Sequence, residues 1–354
     1  MLAAPFHKKI PLFSHFLLAV LFVGNLIHKS PAMKIYNLLI HLHNSVDAFS
    51  LKQRHVDLIN ELLPDARIIV AKGSRDFLEK LPEADCVLVW KFKSSWYADA
   101  SKLKFIFTPA AGHDWVDIDP TGRVRIFYGS FHGRIMRESL LAMILYFNRH
   151  LGKSLEDQGK RVWGRFGYND CAALFSQRVL IVGFGALGQS MAELLKAFGT
   201  SITAVKRDTG GFECHPNVDR MVPFDKLEEE LPDADHVVFV LPGGVETNAV
   251  FTARHFNAMK PGACLYNLGR GNCYREEDLL IALKNGPLAG AGLDVFGEEP
   301  LNPASLLWQQ SNVLITPHSS AISREYIDLF IQEWVGIVTS RVEMSNKPNR
   351  HEVT

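Results

Sequence analysis

The sequence predicts an α/β protein in which a doubly wound parallel sheet is inserted into a second, discontinuous α/β unit. Three observations carry that expectation. A glycine-rich turn, Gly183-Phe-Gly-Ala-Leu-Gly188, separates the apolar run Val179–Val182 from the helical stretch Met191–Phe198. Strand-like runs alternate with helical ones on both sides of a long apolar helix at Arg137–His150. One further helical stretch, Arg324–Arg341, follows the last strand and is expected to return to the first unit.

Four consecutive apolar residues read as a buried strand, and the three glycines give a G-x-G-x-x-G turn. In such a turn Gly183 allows the tight bend, Gly185 lets a pyrophosphate approach the backbone, and Gly188 lets helix pack on strand. The N–H groups of Ala186 and Leu187 and the positive end of the helix dipole then face the phosphates. A lone glycine motif is weak evidence and can be a turn packed for structural reasons alone. Its position between a strand and a helix points instead to a dinucleotide.

The remaining elements follow from periodicity. Before the long helix, Lys34–Leu42, Ala66–Val70, Cys86–Trp90 and Lys104–Phe107 read as strands, with a helix at Lys52–Leu63. After it, six strands are expected: Val179–Val182, Ser201–Val205, His236–Leu241, Ala263–Asn267, Ala289–Leu293 and Val313–Thr316. Six strands with intervening helices make a complete dinucleotide domain. The helix Arg137–His150 is too apolar for a free linker and is expected to be buried at a domain or subunit boundary. Division falls at 1–32 for an apolar leader, 33–130 with 320–354 for one domain, and 131–319 for the inserted one.

At 354 residues the chain can hold two domains with substantial cores. Basic and acidic residues both number 38, so no cationic field exists to hold nucleic acid as the main activity. Five scattered cysteines without C-x-x-C spacing argue against a disulfide framework or zinc site and fit a reducing compartment. The leader supports two readings. Lys8-Lys9, the apolar stretch Ile10–Ile27 and Ser30-Pro-Ala32 resemble a signal peptide or marginal membrane anchor. Met33-Lys-Ile-Tyr-Asn-Leu-Leu-Ile40 equally resembles a start codon followed by a first strand, and a cofactor enzyme has little use outside the cell. The expected location is therefore cytoplasmic, with export or membrane attachment the alternative.

Four segments at strand ends bear the residues that can do chemistry, as an open parallel sheet places reactive groups beyond its carboxyl edge. They are Thr108-Pro-Ala-Ala-Gly112, Asn267-Leu-Gly-Arg270-Gly271, Asp294-Val-Phe-Gly-Glu-Glu299-Pro300 and Thr316-Pro-His318. Arg270 offers a planar fork for a carboxylate. His318 can donate a proton to a developing alkoxide, and Glu299 beside it can orient and stabilise the imidazolium. Backbone amides at Ala111 and Gly112 can cradle a substrate carboxylate. Taken singly, each has an ordinary alternative: a surface ion pair, a solvated turn, a hydrogen-bonded loop histidine.

With these motifs, and with Leu241-Pro-Gly-Gly-Val-Glu-Thr247 and Met259-Lys-Pro-Gly-Ala263, the sequence resembles the D-isomer-specific 2-hydroxyacid dehydrogenase family over about Lys34–Arg341. The resemblance implies two Rossmann-like domains, a doubly wound NAD(P)-binding domain inserted into a discontinuous flavodoxin-like substrate domain. It implies Arg270 for substrate binding, Glu299 as partner carboxylate, His318 as acid/base and Asp294 at the nicotinamide carboxamide. Leu241, Pro242 and Thr247 fall in the cofactor-binding loop, and a homodimer built around Arg137–His150 is expected.

Two departures refine the expectation. An acidic residue usually ends the second strand of such a domain to hold the ribose hydroxyls; here the chain reads Thr203-Ala-Val-Lys206-Arg207. A cationic pair suits a 2′-phosphate, so NADPH is preferred, while Asp208 keeps NADH open. The entry to the long helix reads Tyr128-Gly-Ser-Phe-His-Gly133 rather than Pro-Gly. Together with Val87-Leu-Val-Trp90 and Trp163 this resembles the glyoxylate/hydroxypyruvate reductase branch. Trp90, Lys91, Trp96 and His132 are candidates for shaping the substrate end of the cleft. The rival readings are a dehydrogenase of a bulkier D-2-hydroxy acid and a nucleotide-sensing binding protein of the same fold.

Overall fold

A computed structural model describes residues 33–167, 171–207 and 215–339. The leader at 1–32, Asp208, Cys214 and the expected end of the last helix lie outside the described residues. The chain divides into two compact units. One, Tyr36–Glu333, holds both sheets; the other comprises 33–35 and 334–339, where Met33 N donates to Val338 O at 3.5 Å.

The first sheet is parallel, with strands β1 (Asn37–His41), β2 (Arg67–Val70), β3 (Cys86–Val89), β4 (Phe105–Thr108) and β5 (Arg125–Tyr128). Its order, β2-β1-β3-β4-β5, is the flavodoxin-like winding. β3 is buried at all four positions, as expected of a central parallel strand covered on both faces. The Asp85 carboxylate accepts from Tyr36 N at 2.9 Å and Asn37 N at 3.0 Å, fixing the start of β1 beside β3. Helices α1 (Gln53–Leu62) and α2 (Ser74–Lys80) supply the crossovers after β1 and β2.

Helices α3 (Gly133–Asn148) and α4 (Leu151–Lys160) lead to the second sheet. α3 buries Met136, Leu140, Met143 and Ile144 against Val179, Ile181 and Tyr266 of that sheet, which accounts for its apolar sequence. The second sheet has seven parallel strands, one more than the sequence predicts: β6 (Arg178–Val182), β7 (Ser201–Lys206), β8 (Arg220–Pro223), β9 (His236–Phe239), β10 (Ala263–Asn267), β11 (Leu288–Leu293) and β12 (Val313–Ile315). The order is β12-β11-β10-β9-β6-β7-β8, so the winding reverses between β6 and β9. The two unpredicted strands, β5 and β8, both close a sheet edge, where half-exposed sequences such as Arg-Met-Val-Pro lack an apolar run. Helices α5 (Ala186–Ala197), α6 (Leu227–Glu230), α7 (Ala253–Ala258) and α8 (Glu276–Lys284) fill the crossovers. α5 starts at Ala186, five residues before the helical stretch read from the sequence.

After β12 the chain returns to the first sheet, as expected. In α9 (Tyr326–Thr339), Asp328 binds Arg54 Nη2 at 2.8 Å and His55 Nε2 at 2.8 Å, both on α1. No helix among the described residues is long and apolar enough to cross a membrane.

A buried histidine in β9 contributes to the pH dependence of the fold. His236 in β9 lies between Tyr266 Oη (3.1 Å) and Gln177 Oε1 (3.0 Å). Burial pushes its pKa down to about 4. The folded protein therefore binds the proton less readily than the unfolded chain, whose histidines titrate near 6.5. This contribution to stability is full above about pH 6.5 and is lost as pH falls toward 4. The urea-unfolding free energy is expected to fall across that window, and His236→Asn to flatten the slope; an unchanged slope in the variant would refute the assignment.

Candidate active site

The glycine turn forms a cradle at the switch between β6 and β9. Gly183 has φ of +103°, and a Cβ there would meet Val240 O at 2.8 Å. A Cβ on Gly188 would meet Gly183 O at 2.3 Å, so only glycine lets α5 lie this close to the turn. Gly185 is the N-cap of α5, with no side-chain cap, and a Cβ built on it has open space around it. The amides of Ala186 and Leu187 at the head of a twelve-residue helix thus border room for a phosphate-sized anion. This arrangement fits a dinucleotide's pyrophosphate.

The loop after β9 flanks the cradle. Leu241 is half-buried beneath Gly183, and Thr247 Oγ1 donates to Pro242 O at 2.8 Å, closing the loop on itself. Lys206 ends β7 and Arg207 follows it. Arg207 forms an ion pair with Glu246 of the same loop, so the cation expected to meet a 2′-phosphate already holds a carboxylate.

The three proposed catalytic residues follow the adjacent strands β10, β11 and β12. Glu299 Oε2 lies 2.7 Å from His318 Nδ1, and its Oε1 accepts from Phe296 N at 3.0 Å. With Nδ1 engaged by the carboxylate, Nε2 is the ring nitrogen left for a reacting group. His318 is half exposed and holds a left-handed backbone, φ +49°, unusual outside glycine. Its amide donates to Asp294 O at 2.8 Å. A Cβ on Gly271 would sit 1.9 Å from the Phe296 carbonyl carbon, so the turn bearing Arg270 touches the loop bearing Glu299.

Asp294 is fully buried. Its Oδ1 accepts from Thr316 Oγ1 (2.6 Å), Ser319 N (2.9 Å) and Ser320 N (3.2 Å), and its Oδ2 from Ser320 N at 3.1 Å. The carboxylate thus binds the segments on either side of His318, a positioning role that the sequence reading does not contain.

Arg270 reaches the other sheet. Its Nη1 donates to Gly269 O at 3.0 Å, and its aliphatic stem packs on Gly243, where a Cβ would lie 3.3 Å from Cγ. A Cβ on Gly112 would fall 2.2 Å from Arg270 Nη2, so the backbone after β4 meets the guanidinium at Gly112. Trp90 lies half-buried beside this loop: Thr108 Oγ1 donates to its carbonyl at 3.3 Å, and its ring contacts Trp115 and stacks on Tyr326. Lys91 lies over the Trp115 ring at 4.8 Å.

Two further candidates lie behind this loop or beside the core of the first sheet. Trp96 is partly buried and packs on Phe77 and Phe92 at the edge of the first sheet's core. His132 is buried with Nε2 2.8 Å from Tyr326 Oη, whose hydroxyl also reaches Pro109 O at 3.2 Å. Burial pushes the His132 pKa down to about 4, so it stays neutral at pH 7 and braces the Pro109–Gly112 loop through Tyr326. Sequence reasoning missed Tyr326 and Phe49, which packs on both Tyr326 and Trp90. They lie far apart in the chain, and only the fold makes them neighbours.

Asp294→Ala leaves the Ser319 and Ser320 amides and the Thr316 hydroxyl without their acceptor, a loss expected to cost about 1–3 kcal/mol for each group left unsatisfied. Urea unfolding should register that loss, and turnover should fall with it as His318 leaves its left-handed conformation. Full turnover in the destabilised variant would show that Asp294 does not position His318.

Comparisons with known proteins agree with this geometry. The family profile for the D-isomer specific 2-hydroxyacid dehydrogenase NAD binding domain matches residues 141–320. Glyoxylate/hydroxypyruvate reductase A of Serratia proteamaculans is 30% identical over 281 residues, 75% of this chain and 84% of that protein. A D-isomer specific 2-hydroxyacid dehydrogenase family protein from Aeromonas salmonicida is similar in structure, with a TM-score of 0.69 and 31% identity, covering 86% of this chain and 96% of the other. So is the NADPH-dependent glyoxylate/hydroxypyruvate reductase of Sinorhizobium meliloti, solved with NADP and sulfate, with a TM-score of 0.70, 26% identity, and 85% and 94% covered. With the dinucleotide cradle and the Glu299–His318 pair at adjoining strand ends, the chain belongs to the D-isomer-specific 2-hydroxyacid dehydrogenase family of NAD(P)-dependent oxidoreductases.

Proposed function

We propose that the protein is an NADPH-preferring reductase of small 2-keto acids, glyoxylate and hydroxypyruvate first, forming the D-2-hydroxy acid where a stereocentre arises. The observation that carries this reading is the Glu299–His318 pair at 2.7 Å, with Arg270 seated against the backbone at Gly112. Arg270 and the two amides hold the substrate carboxylate, and the guanidinium polarises the neighbouring carbonyl. A nicotinamide cofactor, when bound, supplies the hydride. His318 gives its Nε2 proton to the carbonyl oxygen, and Glu299 stabilises the imidazolium before that transfer. In the oxidative direction His318 takes the proton back from the hydroxyl.

Trp90, packed between Trp115 and Tyr326 beside the substrate loop, supports a short substrate side chain. The reductases of Serratia and Sinorhizobium named above support the same substrate class. Closure of the domain at 33–130 with 320–354 onto that at 131–319 would exclude water during transfer. Lys206 and Arg207 at the end of β7 support NADPH over NADH, and the structure of the Sinorhizobium relative with NADP is consistent with that preference. Leu151, Leu155, Val162 and Trp163 are exposed along and just beyond α4, and a second copy of the chain is the occupant we assign to them.

The first test follows NADPH and NADH oxidation at 340 nm with glyoxylate, hydroxypyruvate and pyruvate. His318→Ala should lower kcat by roughly 10²–10⁴-fold with cofactor affinity retained, the usual scale of a lost acid–base group. Neutralising Lys206 and Arg207 together should weaken NADPH by about ten- to a hundredfold and NADH far less, as loss of charge-assisted phosphate contacts implies. Unaltered turnover in the first variant, or equal losses for both cofactors in the second, would contradict the corresponding role. Negligible turnover of every keto acid, with cofactor-dependent capture of a protein partner, would favour the sensor reading. Sedimentation equilibrium should give twice the chain mass; a monomer would leave the α4 surface without its assigned occupant.

A further inference from the structure

The loop that holds the substrate carboxylate also brings a carboxylate of its own to the same place. Asp114 lies in the short turn His113–Trp115, two residues beyond Gly112. Its Oδ1 is 3.4 Å from Arg270 Nη2. A Cβ built on Gly112 would fall 2.2 Å from each of those two atoms. Guanidinium, loop backbone and Asp114 carboxylate therefore converge on one point. The backbone of this turn is anchored: the His113 ring stacks on Tyr128 at 4.2 Å, and the Trp115 ring lies against Trp90 and Lys91. The Asp114 side chain itself is 68% exposed, and its ion-pair partner is Arg270.

On the reading that Arg270 binds the substrate carboxylate, we propose that Asp114 is a specificity-determining residue. It is a built-in competitor for Arg270 that weakens binding of every substrate anion and discriminates against 2-keto acids carrying a second carboxylate. The contact is long for a charge-assisted hydrogen bond, so Nη2 is held loosely and can be surrendered to a better-placed oxygen. A monoanionic keto acid has to displace or share one such contact. Asp114 keeps its charge after displacement, a few ångströms from the ligand, and repels a dianion more than a monoanion. The sequence gives no hint of this, since an acidic residue in a surface turn is ordinarily solvated.

The test measures binding to enzyme saturated with NADPH, using oxamate as the monoanionic probe and oxalate as its near-isosteric dianion. Asp114→Asn should tighten oxamate roughly tenfold and oxalate by a larger factor, as removal of a neighbouring like charge implies. The KM for glyoxylate should fall in parallel, with a smaller change in kcat. Unchanged or weaker binding of both probes would overturn the proposal and make Asp114 an aligning partner of Arg270. Equal gains for the two probes would overturn the discrimination. Arg270→Met separates this inference from the reading beneath it. If oxamate binding is indifferent to that substitution, the carboxylate site itself is misassigned and the role of Asp114 falls with it.

Discussion

The register of three parallel strands sets everything else at this site. Asn267 of β10 pairs with Leu293 of β11, and Leu293 pairs with Ile315 of β12, so three carboxyl ends stop in a row. Arg270 and His318 each follow three residues beyond a strand end, and Glu299 six beyond the middle one. A parallel sheet leaves its last carbonyls and the following loops on one edge, and that geometry needs no contact between the side chains to bring them near one another. A slip of one residue in β11 would turn Asp294 toward the opposite face and undo the arrangement.

Within that frame, the buried Asp294 carboxylate decides the conformation of His318. A left-handed non-glycine residue costs about 1–3 kcal/mol. Against it stand the Thr316, Ser319 and Ser320 donors to Asp294, each a hydrogen bond to a charged group worth about 1.5–3 kcal/mol. The hydrogen bonds win, and the strained backbone persists at His318. Glu299 then fixes the ring through Nδ1.

Both cations expected to receive a ligand anion already hold a carboxylate of the chain: Arg270 holds Asp114, and Arg207 holds Glu246. These pairs are largely exposed at the acidic partner, and exposed ion pairs contribute only about 0–1 kcal/mol. Such contacts keep a guanidinium oriented without committing it, so a phosphate or carboxylate with better geometry can take the place. The two guanidinium groups thus share one electrostatic design on different loops.

The sequence by itself determined the α/β class and the nucleotide turn, and it singled out Arg270, Glu299 and His318 as candidates at strand ends, because each depends on local order. Apolar runs fix strands, Gly183 and Gly188 mark where a side chain has no room, and strand ends mark the edge where the loops gather. It could not supply the edge strands β5 and β8, whose half-exposed residues carry no periodic signal. It placed Trp96 near the cleft, and only the fold showed its ring packed against the core residues Phe77 and Phe92. It gave no sign that Asp294 also binds residues 316–320, since those bonds depend on β11 and β12 lying side by side. Tertiary structure alone decided that Gly112 and Asp114 meet Arg270 across more than 150 residues, since such approaches are set by how two sheets pack and leave no pattern in the chain.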